Sequence, residues 1–134
     1  MEISPYLSFN GNCGAAFKLY EQCFGGTITF SQTFGESPMA DQVTPDWRDK
    51  IMHVTMKVGE FVLMGSDDMN YVVPQGMSVS ISPKTPADAE RIFNALAEQG
   101  EVGMPFQKTF WSPGFGMTVD RFGIPWIVNC DQPS

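Results

Sequence analysis

The sequence predicts an α+β fold made of two βαβββ modules, and three observations carry that prediction. The order of strand, helix and further strands occurs twice, in about residues 1–70 and in about residues 75–134. Each predicted helix ends in glycine, at Gly25-Gly26 and at Gly100, directly before a strand. The first strand of each half is apolar on one side and small or polar on the other. Two copies of a unit this long indicate a duplicated supersecondary unit within one domain spanning residues 1–134, and not a solenoid.

Module one begins with an alternating strand at residues 5–9, which puts Leu7 and Phe9 on one face and Tyr6 and Ser8 on the other. Helical spacing of apolar residues predicts a helix over residues 13–24. Strands follow at residues 27–34, 51–58 and 60–65, and a long polar loop at residues 35–50 contains a helical turn with Thr44 as its N-cap. Residues 66–76, rich in Asp, Pro and Gly, are predicted to be a connection.

Module two repeats the order with a strand at residues 77–82, where Val79 and Ile81 face one side and the serines the other. Pro86 opens a second helix whose apolar stripe is Ala89, Ile92, Phe93 and Leu96. Residues 101–109 supply a strand, and the segment 109–129 is predicted to form a closing hairpin with a turn at residues 120–123.

The charge balance excludes some partners. Eight Lys and Arg residues against fifteen Asp and Glu residues give a formal charge of −7, which repels a phosphate backbone. Nucleic acid and anionic membranes are therefore not expected partners. The opening residues show no basic region followed by a long apolar run, and no segment approaches the roughly 18 apolar residues of a membrane span. We expect a cytoplasmic protein.

The cysteines indicate a reducing compartment. There are three, Cys13, Cys23 and Cys130, and the first two would lie about 15 Å apart along one helix, too far to bridge. Their spacing does not indicate zinc. Cys13 at a helix N-terminus has two interpretations, a thiol of lowered pKa and an inert buried residue.

Three segments, residues 5–26, 51–67 and 110–129, together resemble the PhnB-like family of the vicinal-oxygen-chelate superfamily, which includes glyoxalases and bleomycin resistance proteins. The resemblance implies paired βαβββ modules that form a half-open eight-stranded sheet around a concave pocket, completed in a homodimer. Metal-dependent relatives hold one divalent ion with His or Glu from four strands. The matching positions here are near Ser4 or Tyr6, at Met64, at Ser78 and at Ile127, and none is a metal ligand of that kind. We therefore expect no bound metal and no cofactor.

The family is also often described as a demethylubiquinone methyltransferase. A Gly-rich loop between a first strand and a helix would support binding of S-adenosylmethionine, but residues 9–14 match that pattern only loosely.

His53 is the single histidine of the chain, and alternation turns it away from the core together with Thr55 and Lys57. It is the candidate catalytic residue, as a proton acceptor, with a hydrogen-bonded strand histidine as the equal alternative. Thr55 and Lys57 are candidate ligand-binding residues. The other ligand-binding candidates are polar residues and a methionine of the predicted open surface and an aromatic pair: Tyr6, Ser8, Met64, Ser78, Ser80, Phe110 and Trp111.

Other conspicuous residues receive structural interpretations. Trp111 is equally consistent with packing against the second helix, and Trp126 is expected to face that helix. Asp120 is expected to cap its turn. Trp47 is expected to anchor its loop onto its own sheet, with burial by a partner, a lid or a ligand as the alternative.

The leading functional hypothesis is a protein that binds a small apolar or aromatic metabolite in a metal-free pocket. The alternative is a metal-dependent lyase, isomerase or dioxygenase that uses a displaced site around His53 with Glu or Asp from a loop. A homodimer is expected because a single half-barrel leaves sheet surface and the Trp47 loop exposed.

Overall fold

A computed structural model describes residues 1–131 of the chain, and its contacts divide the chain into two compact units between Val72 and Val73. The division falls inside the predicted connection at residues 66–76. Each unit contains one predicted module, and we keep the names module one and module two for them. The last three residues of predicted module two lie outside the described residues.

Module one is a four-stranded sheet with one helix. In order along the sheet the strands are β1, β4, β3 and β2, and β1 is parallel to β4 while the other pairs are antiparallel. Short 3-10 turns at Ala40–Gln42 and Pro45–Trp47 lie in the long loop. The elements are β1 (Tyr6–Phe9), α1 (Cys13–Phe24), β2 (Thr27–Thr33), β3 (Ile51–Val58) and β4 (Phe61–Asp67).

Module two has the same topology, with strand order β5, β8, β7 and β6 and a parallel pair between β5 and β8. The α+β class and both βαβββ modules are confirmed. The hydrogen bonds form two separate four-stranded sheets, where the resemblance implied one sheet of eight. The elements are β5 (Val79–Ile81), α2 (Pro86–Ala97), β6 (Glu101–Gln107), β7 (Phe115–Val119) and β8 (Pro125–Asn129).

The core of module one lies between α1 and the helix-facing side of its sheet. Leu7, Phe9, Val54 and Met56 alternate with more accessible residues along β1 and β3, as predicted. Gly65 lets the helix approach, because an added Cβ there would lie 2.7 Å from the ring of Phe17. The buried residues of α1 are Cys13, Ala16, Phe17, Tyr20 and Cys23.

The core of module two follows the same plan. All four apolar residues predicted for the second helix are buried, and they are Ala89, Ile92, Phe93 and Leu96. Trp126 is buried on the helix-facing side of β8, which confirms the prediction. At β7, Gly116 leaves room for Phe93, whose ring also lies 5.7 Å from that of Phe106.

Two local predictions about helix ends are corrected. The second helix ends at Ala97, and Gln99 takes the left-handed conformation with φ 61°, so Gly100 is not its C-cap. Gly100 is needed for a different reason, because an added Cβ would collide with the carbonyl oxygen of Val119. Thr44 makes no side-chain capping bond to its 3-10 turn.

The first strand of module two is shorter than predicted, which corrects the placement of Ser78. The strand pairs with β8 only from Val79 to Ile81. Pro125 begins β8 and has no N–H to offer, so the ladder does not extend to Ser78.

Asp67 joins three segments of module one, and the sequence prediction had placed it in a connection. It ends β4 and is only 4% exposed. One carboxylate oxygen accepts the N–H of Cys13 at 2.9 Å, and the other accepts the N–H of Ile51 at 2.8 Å. The carboxylate therefore caps the start of α1 and fixes the start of β3.

The three cysteines are buried, and none forms a disulfide within residues 1–131. Burial, and then the neighbouring Asp67 carboxylate, raise the pKa of the Cys13 thiol far above its usual range. The interpretation of Cys13 as a thiol of lowered pKa is therefore wrong. Burial, with the negative charge of Asp67 as the second cause, keeps the thiol protonated.

Replacing Asp67 with Ala is expected to lower the free energy of unfolding by roughly 2 to 4 kcal/mol, because two buried N–H groups lose their acceptor. Asp68→Ala is the matched control, since Asp68 accepts only the exposed N–H of Asn70, and its cost should stay below about 1 kcal/mol. Denaturant unfolding of both variants measures the difference. Equal losses would show that Asp67 does not hold the segments together.

The Cys13 thiol should also make stability depend on pH in alkaline solution. Below a pH of about 8.5 the thiol is neutral in the folded and unfolded states. Above it the unfolded state loses the proton while the folded state keeps it, so the free energy of unfolding falls by up to about 1.4 kcal/mol per pH unit. Denaturant unfolding at about pH 8 and about pH 10 should show a smaller fall in Cys13→Ala than in wild type. Equal falls in the two proteins would contradict the raised pKa.

Candidate functional site

The sheet of module one has an open face on the side opposite α1, and strand register places residues on it in rows. One row crosses all four strands through Tyr6, Met64, Thr55 and Phe30. A second row contains Ser8 beside Ser66 and His53 beside Gln32. Lys57 lies on the same face beside Val62 and is exposed. All six site residues predicted for module one lie on this face: Tyr6, Ser8, His53, Thr55, Lys57 and Met64.

The residues of the open face that were missed from the sequence include Phe30, Gln32 and Ser66. Simple alternation along β2 would place Phe30 opposite Val54, on the core side. An irregularity between Ile28 and Phe30 shifts the register, so Phe30 pairs with Thr55 instead. Ser66 belongs to the part of β4 that had been assigned to the connection.

Hydrogen bonds hold His53 at both ring nitrogens. The Tyr6 hydroxyl lies 3.0 Å from Nδ1, and the Thr55 hydroxyl lies 2.8 Å from Nε2. The rings of Tyr6 and Phe30 lie 5.6 Å and 6.0 Å from the imidazole ring. Each hydroxyl can donate or accept, so a neutral imidazole is satisfied in this setting. We call Tyr6, His53, Thr55 and Phe30 the histidine cluster.

The histidine cluster is accessible and has no carboxylate in its hydrogen bonds. Tyr6 is 48% exposed and Phe30 is 50% exposed, while His53 and Thr55 are partly covered. Within residues 1–131, no three His, Cys, Asp or Glu side chains come together in a way that could hold a metal ion. The donor set around His53, two hydroxyls and aromatic rings, does not fit a divalent cation.

Strand register also shows which of the positions matched to metal ligands by the resemblance lie side by side. Tyr6 pairs with Met64 in module one, and Ser80 pairs with Ile127 in module two. The residue beside Ile127 is therefore Ser80, where the resemblance placed Ser78. Both serines are exposed. The row of module two continues to Met117 and Met104, so it offers one hydroxyl and otherwise apolar side chains.

Module two presents an aromatic cluster formed by Phe110, Trp111 and Phe115. The ring of Trp111 lies 4.7 Å from that of Phe110 and 5.2 Å from that of Phe115, both edge to face. Phe115 alternates with Gly116, which faces α2, so the cluster lies on the opposite side of the sheet. The alternative interpretation of Trp111 as a residue packed on the second helix is therefore wrong.

Asp120 has the structural role that was expected of it, and Trp47 contacts a residue that directly follows β2 instead of the sheet itself. Asp120 is buried, and its carboxylate accepts the N–H groups of Phe122 and Ile124 and the indole N–H of Trp126. The half-buried Trp47 packs edge to face on buried Phe34 within its own loop.

One donor at the start of α1 is already used. Gly11 forms the turn after β1 with φ 91°, and the N–H of Cys13 is bonded to Asp67. A ligand carboxylate or phosphate would compete with that buried carboxylate for the Cys13 N–H.

No helix within residues 1–131 is long and apolar enough to cross a membrane.

Known proteins resemble this chain over nearly its whole length. Residues 1–129 match the family described as 3-demethylubiquinone-9 3-methyltransferase. The protein YjdN of Escherichia coli (strain K12) is 33% identical over 141 residues, covering 96% of this chain and 95% of that protein.

Solved structures agree. The protein PA1353 from Pseudomonas aeruginosa is 49% identical with a TM-score of 0.88, covering 99% of both chains. A PhnB protein from Bacillus cereus is 22% identical with a TM-score of 0.82, covering 97% of this chain and 99% of that one, and shows the shared fold. The chain belongs to the family described as 3-demethylubiquinone-9 3-methyltransferase, and its α+β fold matches that of glyoxalase/bleomycin resistance proteins.

Proposed function

We propose that the protein binds a small metabolite on the open face of module one, with His53 at the centre of the site and without a metal ion. The single observation that carries this proposal is the histidine cluster, in which Tyr6 and Thr55 hold both imidazole nitrogens. A titratable ring that is oriented by hydrogen bonds and left partly accessible is typical of a ligand-binding or catalytic position.

The chemistry of the face indicates the kind of ligand. Hydroxyl groups of Tyr6, Ser8, Thr55 and Ser66 offer hydrogen bonds without a fixed charge. Phe30 and Met64 add apolar surface, and Lys57 adds one cation. Such a surface favours a neutral or weakly anionic ligand with an apolar or aromatic part, because burying charges that lack a partner is costly.

His53 has a defined role in this proposal. A ligand group that replaces the hydroxyl of Tyr6 or Thr55 would meet a neutral imidazole nitrogen that can accept its proton or hydrogen bond. His53 is therefore the candidate catalytic residue if the bound metabolite is also converted.

The metal-dependent alternative receives no support from the arrangement of side chains. A displaced metal site around His53 would require Glu or Asp within reach of the ring, and the hydrogen bonds at both nitrogens go to hydroxyls. The methyltransferase activity in the family description is not favoured by the loop before α1, where Asp67 already occupies the helix end.

The proposal includes a cytoplasmic homodimer, the state expected for this family and for a chain with exposed sheet surface. Val72 and Val73 are large apolar side chains that remain exposed in the single chain. Sedimentation equilibrium at micromolar concentration should give twice the chain mass. A species of 14.8 kDa would contradict the dimer.

Removal of the Tyr6 hydroxyl should change the tautomer of His53. A phenol is a better hydrogen-bond donor than an aliphatic alcohol, so Tyr6 should donate to Nδ1 and favour the tautomer with the proton on Nε2. In Tyr6→Phe the population of that tautomer should fall, which nitrogen NMR detects for the single histidine of the chain. Tyr71→Phe in the connection is the matched control. Unchanged imidazole shifts in Tyr6→Phe would show that the bond does not form in solution.

Variants of the open face should lose affinity for metabolites found by a thermal-shift screen. His53→Ala and Phe30→Ala should each weaken binding by roughly 1 to 3 kcal/mol, measured by calorimetry. Phe61→Ala is the matched control, because Phe61 is an exposed phenylalanine of the same sheet that alternates onto the other face. Hits dominated by polyphosphates or dianions, or equal affinities in all variants, would overturn the proposal.

A further inference from the structure

The aromatic cluster of module two is unusually accessible for its size. Phe110 is 97% exposed and Trp111 is 52% exposed, and the two rings contact each other edge to face. Single exposed apolar side chains are common, but adjacent large aromatic rings form a patch of the kind that marks a binding surface.

The segment that carries the two rings is held in place by buried hydrogen bonds. The Ser112 hydroxyl is buried and lies 2.9 Å from the Gly114 carbonyl oxygen and 3.0 Å from that of Cys130. It also accepts the N–H of Gly114. The hydroxyl of Thr109 accepts the N–H of Ser112, which fixes the other end of the segment. Rings on a segment fixed in this way lose little entropy when they bind a ligand.

A polar atom next to this cluster lacks a partner. Asn129 pairs with Phe115 across β7 and β8, so their side chains are neighbours on the face opposite α2. In the part of the chain that the structure describes, the Asn129 side-chain oxygen has no hydrogen-bond partner, and less than 1 Å² of it is accessible. Such an acceptor is costly to leave unpaired and is satisfied by an N–H or O–H donor.

We infer that module two contains a recognition site of its own for a neutral planar heteroaromatic ring that carries an N–H group. The ring would stack on Trp111 and Phe110, and its N–H would be donated to the Asn129 oxygen. Because that oxygen is covered by the chain, side chains beside it must move before the donor can reach it. We expect Phe115, which pairs with Asn129, and Trp111, which contacts Phe115, to shift on binding. The site consists of residues of module two alone and does not depend on the histidine cluster.

Indole and N-methylindole are suitable probes, because they are flat rings of similar size and only indole has an N–H donor. Titrating each into the full chain and following the tryptophan indole N–H signals by NMR measures affinity and the displacement of Trp111 together. The Trp111 signal is the one missing from Trp111→Phe. Indole should shift it saturably and should bind several-fold more tightly than N-methylindole.

Two variants and two controls separate the contributions. Trp111→Ala should weaken indole binding about ten-fold or more, since base-like rings gain much of their affinity from stacking. Asn129→Leu should retain both probes and lose the preference for indole. Trp47→Phe, a tryptophan packed elsewhere, and His53→Ala, in the site of the proposed function, should leave both affinities unchanged. Amide spectra of each variant confirm that it is folded.

Several results would overturn this inference. Unaltered indole affinity in Trp111→Ala would remove the stacking role, and equal affinity of wild type for the two probes would mean that Asn129 accepts nothing from a ligand. Absence of saturable binding of indole would remove the site altogether. A loss of binding in His53→Ala would show that the probe binds on module one.

Discussion

The buried carboxylate of Asp67 is the interaction on which module one depends. It binds the first N–H of α1 and the first N–H of β3 from the end of β4, so three elements that are distant in sequence meet at one side chain. β3 carries His53 and Thr55 two and four residues beyond Ile51, and β1, which carries Tyr6, lies beside β4. The geometry of the histidine cluster therefore follows from a residue on the opposite, core side of the sheet. This is how a buried polar contact can position an exposed site without touching it.

Module two has the topology of module one, but its buried polar contacts are made by different residues at different places in the fold. Its carboxylate, Asp120, is placed in the hairpin turn and binds the backbone of the turn together with the indole of Trp126. Its second fixed point is Ser112, which holds the loop before β7 to the end of β8. The duplication thus lies in the apolar pattern and the strand order, which determine the fold. The hydrogen bonds that position each surface differ, and this allows two copies of one unit to present different chemistry.

The sequence predicted most of the fold because its apolar periodicity is strong. The helix over residues 13–24, the strand over residues 51–58 and the buried stripe of α2 coincide with the structure. The errors have identifiable causes. Asp67 was assigned to a connection because aspartate favours turns, and only tertiary structure reveals two N–H groups that need an acceptor. Phe30 was missed because a register shift in β2 is invisible to alternation. Alternation predicted the face of the sheet on which each candidate site residue lies. The hydrogen bonds among these residues depend on the pairing of β1 with β4, which the sequence does not show.

Corresponding rows of the two sheets differ in a way that bears on function. In module one the row is Tyr6, Met64, Thr55 and Phe30, and in module two it is Ser80, Ile127, Met117 and Met104. None of the four residues Tyr6, Met64, Ser80 and Ile127 carries an imidazole or a carboxylate. Hydrogen bonding is concentrated in module one around His53, and aromatic contact is concentrated in module two around Trp111. The surface of module one therefore offers mainly hydrogen bonds and that of module two mainly stacking and apolar contact, and these favour different ligand chemistry.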